Sequence, residues 1–190
     1  MEMVNVIIDG KSVEVEKGST VLLAAQKAGV HIPTLCYLKD VNAIGACRVC
    51  LVEVKGAKAL QPACVYPVSE GLEVLTSTPK VREARKAVVE LLLSNHPADC
   101  LTCVRSGKCE LQALAQQMGI REIRFEGEKN SFPLDERSIA IVRDPNKCIL
   151  CRRCVATCQK VQGVSILGLI NRGFNSVVGT AFNHPLDDIN

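Results

Sequence analysis

The sequence predicts an α+β chain built from three small units. Three observations carry that expectation. The first 78 residues alternate in hydropathy and are then interrupted by a helical period. Two further helical periods start near Thr78 and Cys109. The 11 cysteines fall into three groups, one in each unit.

The elements follow in chain order. Met3 to Asp9 alternates and is rich in Val and Ile, which suits a strand. Gly10-Lys11 reads as a turn and Ser12 to Glu16 as a second strand, giving a hairpin. Ser19 or Thr20 caps a helix from about Val21 to Ala28, which Gly29 ends. Val49 to Val54 and Leu72 to Thr76 are further strands. Two hairpin strands, a helix and more strands resemble a β-grasp ferredoxin, so residues 1–78 form the first unit. Thr78-Pro79 pairs a cap with a proline in the first helical turn. Val81, Ala84, Arg85, Val88, Leu91 and Leu92 then keep a helical period to about Ser94, read as a connecting helix with a packed apolar face. Cys109 opens another helix through Leu111, Leu114, Ala115 and Met118, ended by Gly119. Residues 121–137 are polar, contain Gly127 and Pro133, and read as an ordered linker that closes a second unit, 79–137. The third unit is 138–190.

Composition narrows the chemistry. Nearly half of the 190 residues are hydrophobic, at 47%, so a folded chain is expected. Yet there are only four Phe, two Tyr and no Trp. Aromatics usually dominate core burial, so something else must help to hold this chain together. A formal charge of +3 argues against a dedicated nucleic-acid binder, which shows a strong basic excess, and leaves a zinc-stapled interaction or nucleic-acid-binding protein as a rival reading. No apolar run approaches the ~18 residues of a membrane span. The start of the chain alternates, carries Glu2, and lacks the basic, apolar pattern of a signal peptide. A cytoplasmic setting is expected, where structural disulfides are rare. An odd number of cysteines also fits a disulfide framework poorly. Metal binding is the leading reading.

The spacings sharpen it. Cys148, Cys151, Cys154 and Cys158 give C-x2-C-x2-C-x3-C. Three thiolates within seven residues can wrap three corners of a 4Fe-4S cubane. Zinc sites more often pair two separated knuckles. In two-cluster ferredoxins the fourth Cys of such a run serves the other cluster, so Cys158 is expected to ligate a second 4Fe-4S cluster. Gln159 stands where the simple motif has Pro. Cys36, Cys47, Cys50 and Cys64 give C-x10-C-x2-C-x13-C, which resembles the plant-type 2Fe-2S pattern with a longer first gap. Gly45 and Ala46 are small enough to let backbone N–H groups approach sulfides. The middle group has only Cys100, Cys103 and Cys109. His96 completes it as H-x3-C-x2-C-x5-C, a 4Fe-4S set of one histidine and three cysteines, with a zinc site of the same four ligands as the rival. Neutral imidazole in place of thiolate removes one negative charge and should raise the potential. His31 and His184 have no such company and read as structural or surface residues. Arg48, Arg152 and Arg153 stand beside ligands and read as solvated charges or partner contacts.

The stretches Ile32-Pro-Thr-Leu-Cys-Tyr37, Gly45-Ala-Cys-Arg-Val-Cys50, His96-Pro-Ala-Asp-Cys100, Lys147-Cys-Ile-Leu-Cys151 and Arg172-Gly-Phe174 carry a family resemblance. Over essentially the whole chain they resemble the N-terminal electron-transfer region of multi-cluster FeFe hydrogenases. The large subunit of NAD(P)-linked hydrogenases, some of them electron-bifurcating, looks most similar. The resemblance implies a 2Fe-2S domain, a His-ligated 4Fe-4S domain and the first part of a two-4Fe-4S ferredoxin domain. It further implies a flavin-bearing NAD(P)H-binding iron–sulfur subunit and a small 2Fe-2S subunit as partners. A hydrogen-forming catalytic domain would lie outside these residues, and the last one or two 4Fe-4S clusters need ligands beyond residue 190. NAD-linked formate dehydrogenases and the diaphorase subunit of NAD-reducing NiFe hydrogenases share much of the pattern. The large peripheral subunit of respiratory complex I shares the first two sites, and the position of Cys158 is taken to argue against it. No nucleophile–base pair, G-x-G-x-x-G or Walker fingerprint occurs. The expected function is electron relay, with no membrane insertion, no nucleic acid and no catalytic residue in the chain.

Overall fold

The computed structural model describes residues 2–188. Strands β1 (Met3–Ile8) and β2 (Lys11–Glu16) pair antiparallel, from Met3 opposite Glu16 to Ile8 opposite Lys11. The turn between them is Asp9-Gly10 rather than Gly10-Lys11. Both residues are left-handed, at φ 48° and 81°, as a two-residue hairpin loop requires. The Asp9 carboxylate also accepts the Thr76 backbone N–H at 2.7 Å, tying the hairpin end to a distant segment.

Helix α1 (Val21–Lys27) starts at Thr20, whose hydroxyl oxygen accepts the Leu23 N–H. It presses Val21, Leu22, Ala24 and Ala25 onto the sheet. Strands β3 (Leu51–Val54), β4 (Gln61–Pro62) and β5 (Leu72–Leu75) complete a five-stranded sheet ordered β2-β1-β5-β3-β4. Only the β1–β5 pairing is parallel. The alternation of Val4, Val6 and Ile8 points these side chains into the core, where Val6, Ile8, Leu22, Val52 and Val74 are closed off from water. Burial of each such aliphatic side chain is worth ~1.5–3 kcal/mol. Small branched residues thus do here what aromatics do in most cores.

Helix α2 (Pro79–Ser94) begins at Thr78. Its hydroxyl oxygen accepts the Val81 N–H at 3.2 Å and its O–H donates to Glu53 on β3 at 2.9 Å. One side chain therefore caps the helix and docks it on the sheet. Arg85, buried on the same helix, donates from Nε and Nη2 to the Leu51 carbonyl at 2.9 and 2.6 Å. Helix α3 (Glu110–Gln117) packs Leu111 and Leu114 against Val89, Leu92 and Leu93 of α2. This second core also takes in Leu35, Cys36, Cys47 and Val49, whereas Cys50 and Cys64 belong to the core of the sheet.

The linker 121–137 carries no helix or strand. It is tied down by Arg124, which pairs at 2.7 Å with the buried carboxylate of Glu90, and by the Asn130 N–H on Asn95. The last unit holds α4 (Arg153–Lys160) and a short antiparallel hairpin of β6 (Gly168–Ile170) and β7 (Val177–Gly179). The sequence reading placed none of these three elements, nor β4.

Candidate functional site

The long irregular loop between α1 and β3 carries Cys36, Cys47 and Cys50, and Cys64 follows β4. All four are buried. The Cys36 N–H donates to Cys47 Sγ at 3.4 Å. The thiols lie within hydrogen-bond reach of one another in the order Cys47, Cys36, Cys64, Cys50. Hydrogen bonds from Cys47 and then Cys64 hold the Cys36 thiol far down, at about 2. The bond from Cys64 lowers Cys50 to about 7. Cys47 and Cys64 are pushed up, chiefly because each shares its proton with Cys36. Four buried sulfurs brought together can hold a metal ion or an iron–sulfur cluster. Among the described residues, no set of three or more His, Cys, Asp or Glu side chains closes round one ion.

The backbone near these sulfurs is left-handed at Gly45 (φ 63°) and Arg48 (φ 58°). Such turns aim successive N–H groups inward, as in anion-binding nests. A Cβ on Gly45 would lie 3.2 Å from Val65 Cγ2, so space as well as φ favours glycine there.

In the middle group, His96 Nδ1 lies 3.0 Å from the Pro97 carbonyl oxygen. A carbonyl can only accept, so Nδ1 carries the proton and Nε2 keeps a free lone pair. That is how metal-binding histidines are oriented. His96, Cys103 and Cys109 line a cavity of about 260 Å³ together with Leu35, Ile149, Cys151 and Arg153. The space far exceeds the ~30 Å³ share of one water. Among the described residues, Arg153 Nε is a buried donor without a partner. A donor without an acceptor on the wall of a thiol-lined cavity fits a bound group that bears acceptor sulfurs. Cys100 is exposed, and the adjoining Leu101 is fully exposed.

In the third group, Cys148 follows a short 3-10 turn, Pro145–Lys147, and Cys151 lies in the following loop. Cys154 and Cys158 are four apart on α4 and so share a helix face. Left-handed Leu150 (φ 53°) and Arg152 (φ 59°) bend the chain round between these cysteines, and the Leu150 N–H donates to Cys148 Sγ at 3.4 Å. Cys158 is buried, whereas Cys148 and Cys154 are exposed.

Polar bonds join the three groups. Arg153 is not the solvated charge expected from the sequence. Its Nη1 donates to Glu110, next to Cys109, at 2.7 Å, and its Nη2 donates to the carbonyl of Tyr37, next to Cys36, at 2.9 Å. Lys147, next to Cys148, pairs with Asp99, next to Cys100, at 2.8 Å. This bond holds the Asp99 carboxyl below the usual carboxylate range and raises the Lys147 ammonium. Asn42, absent from the sequence reading, donates from Nδ2 to the carbonyls of Cys36 at 2.7 Å and Cys151 at 3.0 Å. No local pattern marks Asn42 or Arg153, because Cys151 lies 109 residues from Asn42 and Tyr37 lies 116 residues from Arg153.

Comparison with known proteins agrees with this arrangement. Residues 1–79 match the family described as a 2Fe-2S iron-sulfur cluster binding domain. Residues 85–124 match the NADH-ubiquinone oxidoreductase-G iron-sulfur binding region. Residues 138–189 match the ferredoxin-like domain of NADH-quinone oxidoreductase subunit 3. The chain is 47% identical to the NADP-reducing hydrogenase subunit HndD of Solidesulfovibrio fructosivorans, over 99% of this chain and 33% of that protein. It is 42% identical to the G 2 subunit of the NADH-quinone oxidoreductase of Rhizobium meliloti, over 97% of this chain and 22% of that protein. The chain thus spans a third or less of these curated relatives. A chain in the crystal structure of an NAD+-reducing [NiFe]-hydrogenase superposes with a TM-score of 0.87 at 32% identity, covering 93% of this chain and 74% of that one. The expectation that the position of Cys158 argues against the NADH-quinone oxidoreductase proteins finds no support, since relatives of both kinds match nearly the whole chain. Cluster-binding families along most of its length and relatives of both kinds place the chain in the family of N-terminal iron–sulfur regions shared by NADH-quinone oxidoreductase G and NAD(P)-reducing hydrogenase large subunits.

Proposed function

We propose that this chain is the iron–sulfur relay of an NAD(P)-linked hydrogenase, laid out as units 1–78, 79–137 and 138–190. Cys36, Cys47, Cys50 and Cys64 would hold the 2Fe-2S cluster. His96 Nε2 with Cys100, Cys103 and Cys109 would hold one 4Fe-4S cluster. Cys148, Cys151 and Cys154 would hold another with a ligand from outside these residues, and Cys158 would serve the second ferredoxin-type cluster. The clusters supply the redox chemistry when bound. The chain's own residues fix their positions, exclude water from Cys36, Cys47, Cys50 and Cys64, hold the His96 proton on Nδ1 and aim N–H groups at sulfur.

The observation that carries this reading is the direct bonding of the three ligand groups to one another through Arg153, Lys147 and Asn42. Isolated zinc staples have no need of such links, whereas a relay needs fixed separations. A flavin-bearing NAD(P)H-oxidising subunit and a small 2Fe-2S subunit are the partners at one end, and a hydrogen-forming catalytic domain is the partner at the other. Free thiols throughout favour a cytoplasmic setting. Among the described residues, no helix is long and apolar enough to cross a membrane. A second reading, a component of NADH-quinone oxidoreductase, is favoured by the two family matches to that complex. Anaerobically purified protein should be brown, carry labile sulfide and give distinct 2Fe-2S and 4Fe-4S EPR signals on reduction. A colourless protein with bound zinc overturns the relay. Hydrogen-dependent NAD(P) reduction by the full complex, against quinone reduction without hydrogen activity, separates the two readings.

A further inference from the structure

We infer that Asn42 is a positioning residue that couples the first and third cysteine groups electronically. The inference rests on the cluster assignments proposed above. Asn42 is 3% exposed, and its Nδ2 donates to the Cys36 carbonyl at 2.7 Å and the Cys151 carbonyl at 3.0 Å. Both acceptors belong to proposed ligand residues of different clusters. A few covalent bonds separate each carbonyl from its own Sγ, so this amide closes a bonded bridge between two metal centres.

The bridge is held firmly. Leu38 and Asn42 exchange backbone hydrogen bonds of 2.8 Å across a tight loop in which Asp40 is left-handed at φ 60°. Lys160 on α4 donates to the Val41 carbonyl at 2.8 Å and Arg153 donates to the Tyr37 carbonyl at 2.9 Å, so the third unit grips the same loop at both ends. The choice of side chain follows from the partners. Two carbonyls demand two donors, and a primary amide offers both from one uncharged nitrogen. A carboxylate would face two acceptors, and a lysine would bury a full charge. Electron tunnelling decays less steeply along bonds than through empty space, so this contact favours one route out of the first group. In the step that Asn42 couples, one electron leaves the cluster at Cys36 and one enters the cluster at Cys151, or the reverse. No bond is made or broken and no proton moves.

The test uses the whole complex with Asn42→Leu and Asn42→Asp, each matched roughly in size. Iron and sulfide counts and EPR on the unaltered protein come first. A missing 2Fe-2S or ferredoxin-type signal there refutes the cluster assignment itself. With those signals present, photoreduction followed by rapid freeze-quench EPR reads electron exchange between the two clusters. The expected result is exchange slowed by at least about tenfold in both variants, as small misplacements cost ordered sites, with both clusters and their midpoint potentials retained. An unchanged rate in a variant that keeps both clusters overturns the inference. So does loss of either cluster from both variants, because Asn42 would then be needed for assembly rather than for coupling.

Discussion

His96 is the residue whose role depends most on a single atom. Its Nδ1 proton is committed to the Pro97 carbonyl, which leaves Nε2 as the donor atom. His96→Cys should keep a 4Fe-4S cluster but lower its potential, because thiolate adds a negative charge. His96→Ala should weaken or lose that cluster alone. An anaerobic EPR titration in which the His96→Ala spectrum matches the parent would remove His96 from the ligand set. Gly45 offers a second check. Gly45→Ala places a Cβ at a left-handed position and 3.2 Å from Val65, beside Cys64. It should reduce 2Fe-2S occupancy while leaving the other clusters in place, as counted by iron and sulfide. His96 stands out in the sequence because cysteines follow it at ligand spacing. Arg153 is expected from the sequence to be a solvated charge or a partner contact, since nothing in a neighbouring Cys reveals a Tyr37 carbonyl across the fold.

Elements were legible where local chemistry fixes them. Thr20, Thr78 and the Asp9-Gly10 turn lie at the boundaries that capping and hairpin rules select, apart from a one-residue shift in the turn. Helix α4 escaped because it is only eight residues long and buries small residues, Ala156 and Cys158, rather than large apolar ones. Strands β6 and β7 escaped because three residues each are too few to show alternation. Thr78→Ala should destabilise the fold by about 0.5–2 kcal/mol from the lost cap, read by chemical denaturation, with α2 also freed from Glu53. Leu22→Ala, in the sheet core, should cost ~2–5 kcal/mol. Where the second and third units join, Arg137 and then Arg143 hold the Asp135 carboxyl well below the usual carboxylate range. Its folded value is depressed, so the stability it contributes is complete above the unfolded value of ~3.9. That contribution fades as pH falls through the folded value. Asp135→Asn should therefore flatten the acid limb of unfolding for this junction.

At the scale of the molecule, apolar burial is uneven. The sheet unit owns a continuous aliphatic core, whereas the region around Cys100 and Cys148 has exposed thiols and a fully exposed Leu101. Stripping iron with a chelator under reducing conditions should leave amide protection in β1, β3 and β5 nearly intact. Protection should fall across 96–109 and 145–160, as hydrogen exchange would read segment by segment. Uniform loss would show that the clusters, not the aliphatic core, hold the sheet. The α+β class was readable from hydropathy, but the packing of the cysteine groups against one another was not. Spacing reports which ligands lie near in sequence and is silent on which groups meet in space.

The first four thiols are divided evenly, with Cys50 and Cys64 in the sheet core and Cys36 and Cys47 in the core beneath α2 and α3. Neither core alone offers more than half of a ligand set. Iron delivered early, to a chain with only its sheet formed, finds two thiols and is readily lost. With the proposed 2Fe-2S cluster held by these four, maturation would be conditional: the cluster would be kept only once both halves had folded and met, and a misfolded subunit would stay an empty, oxidisable thiol protein.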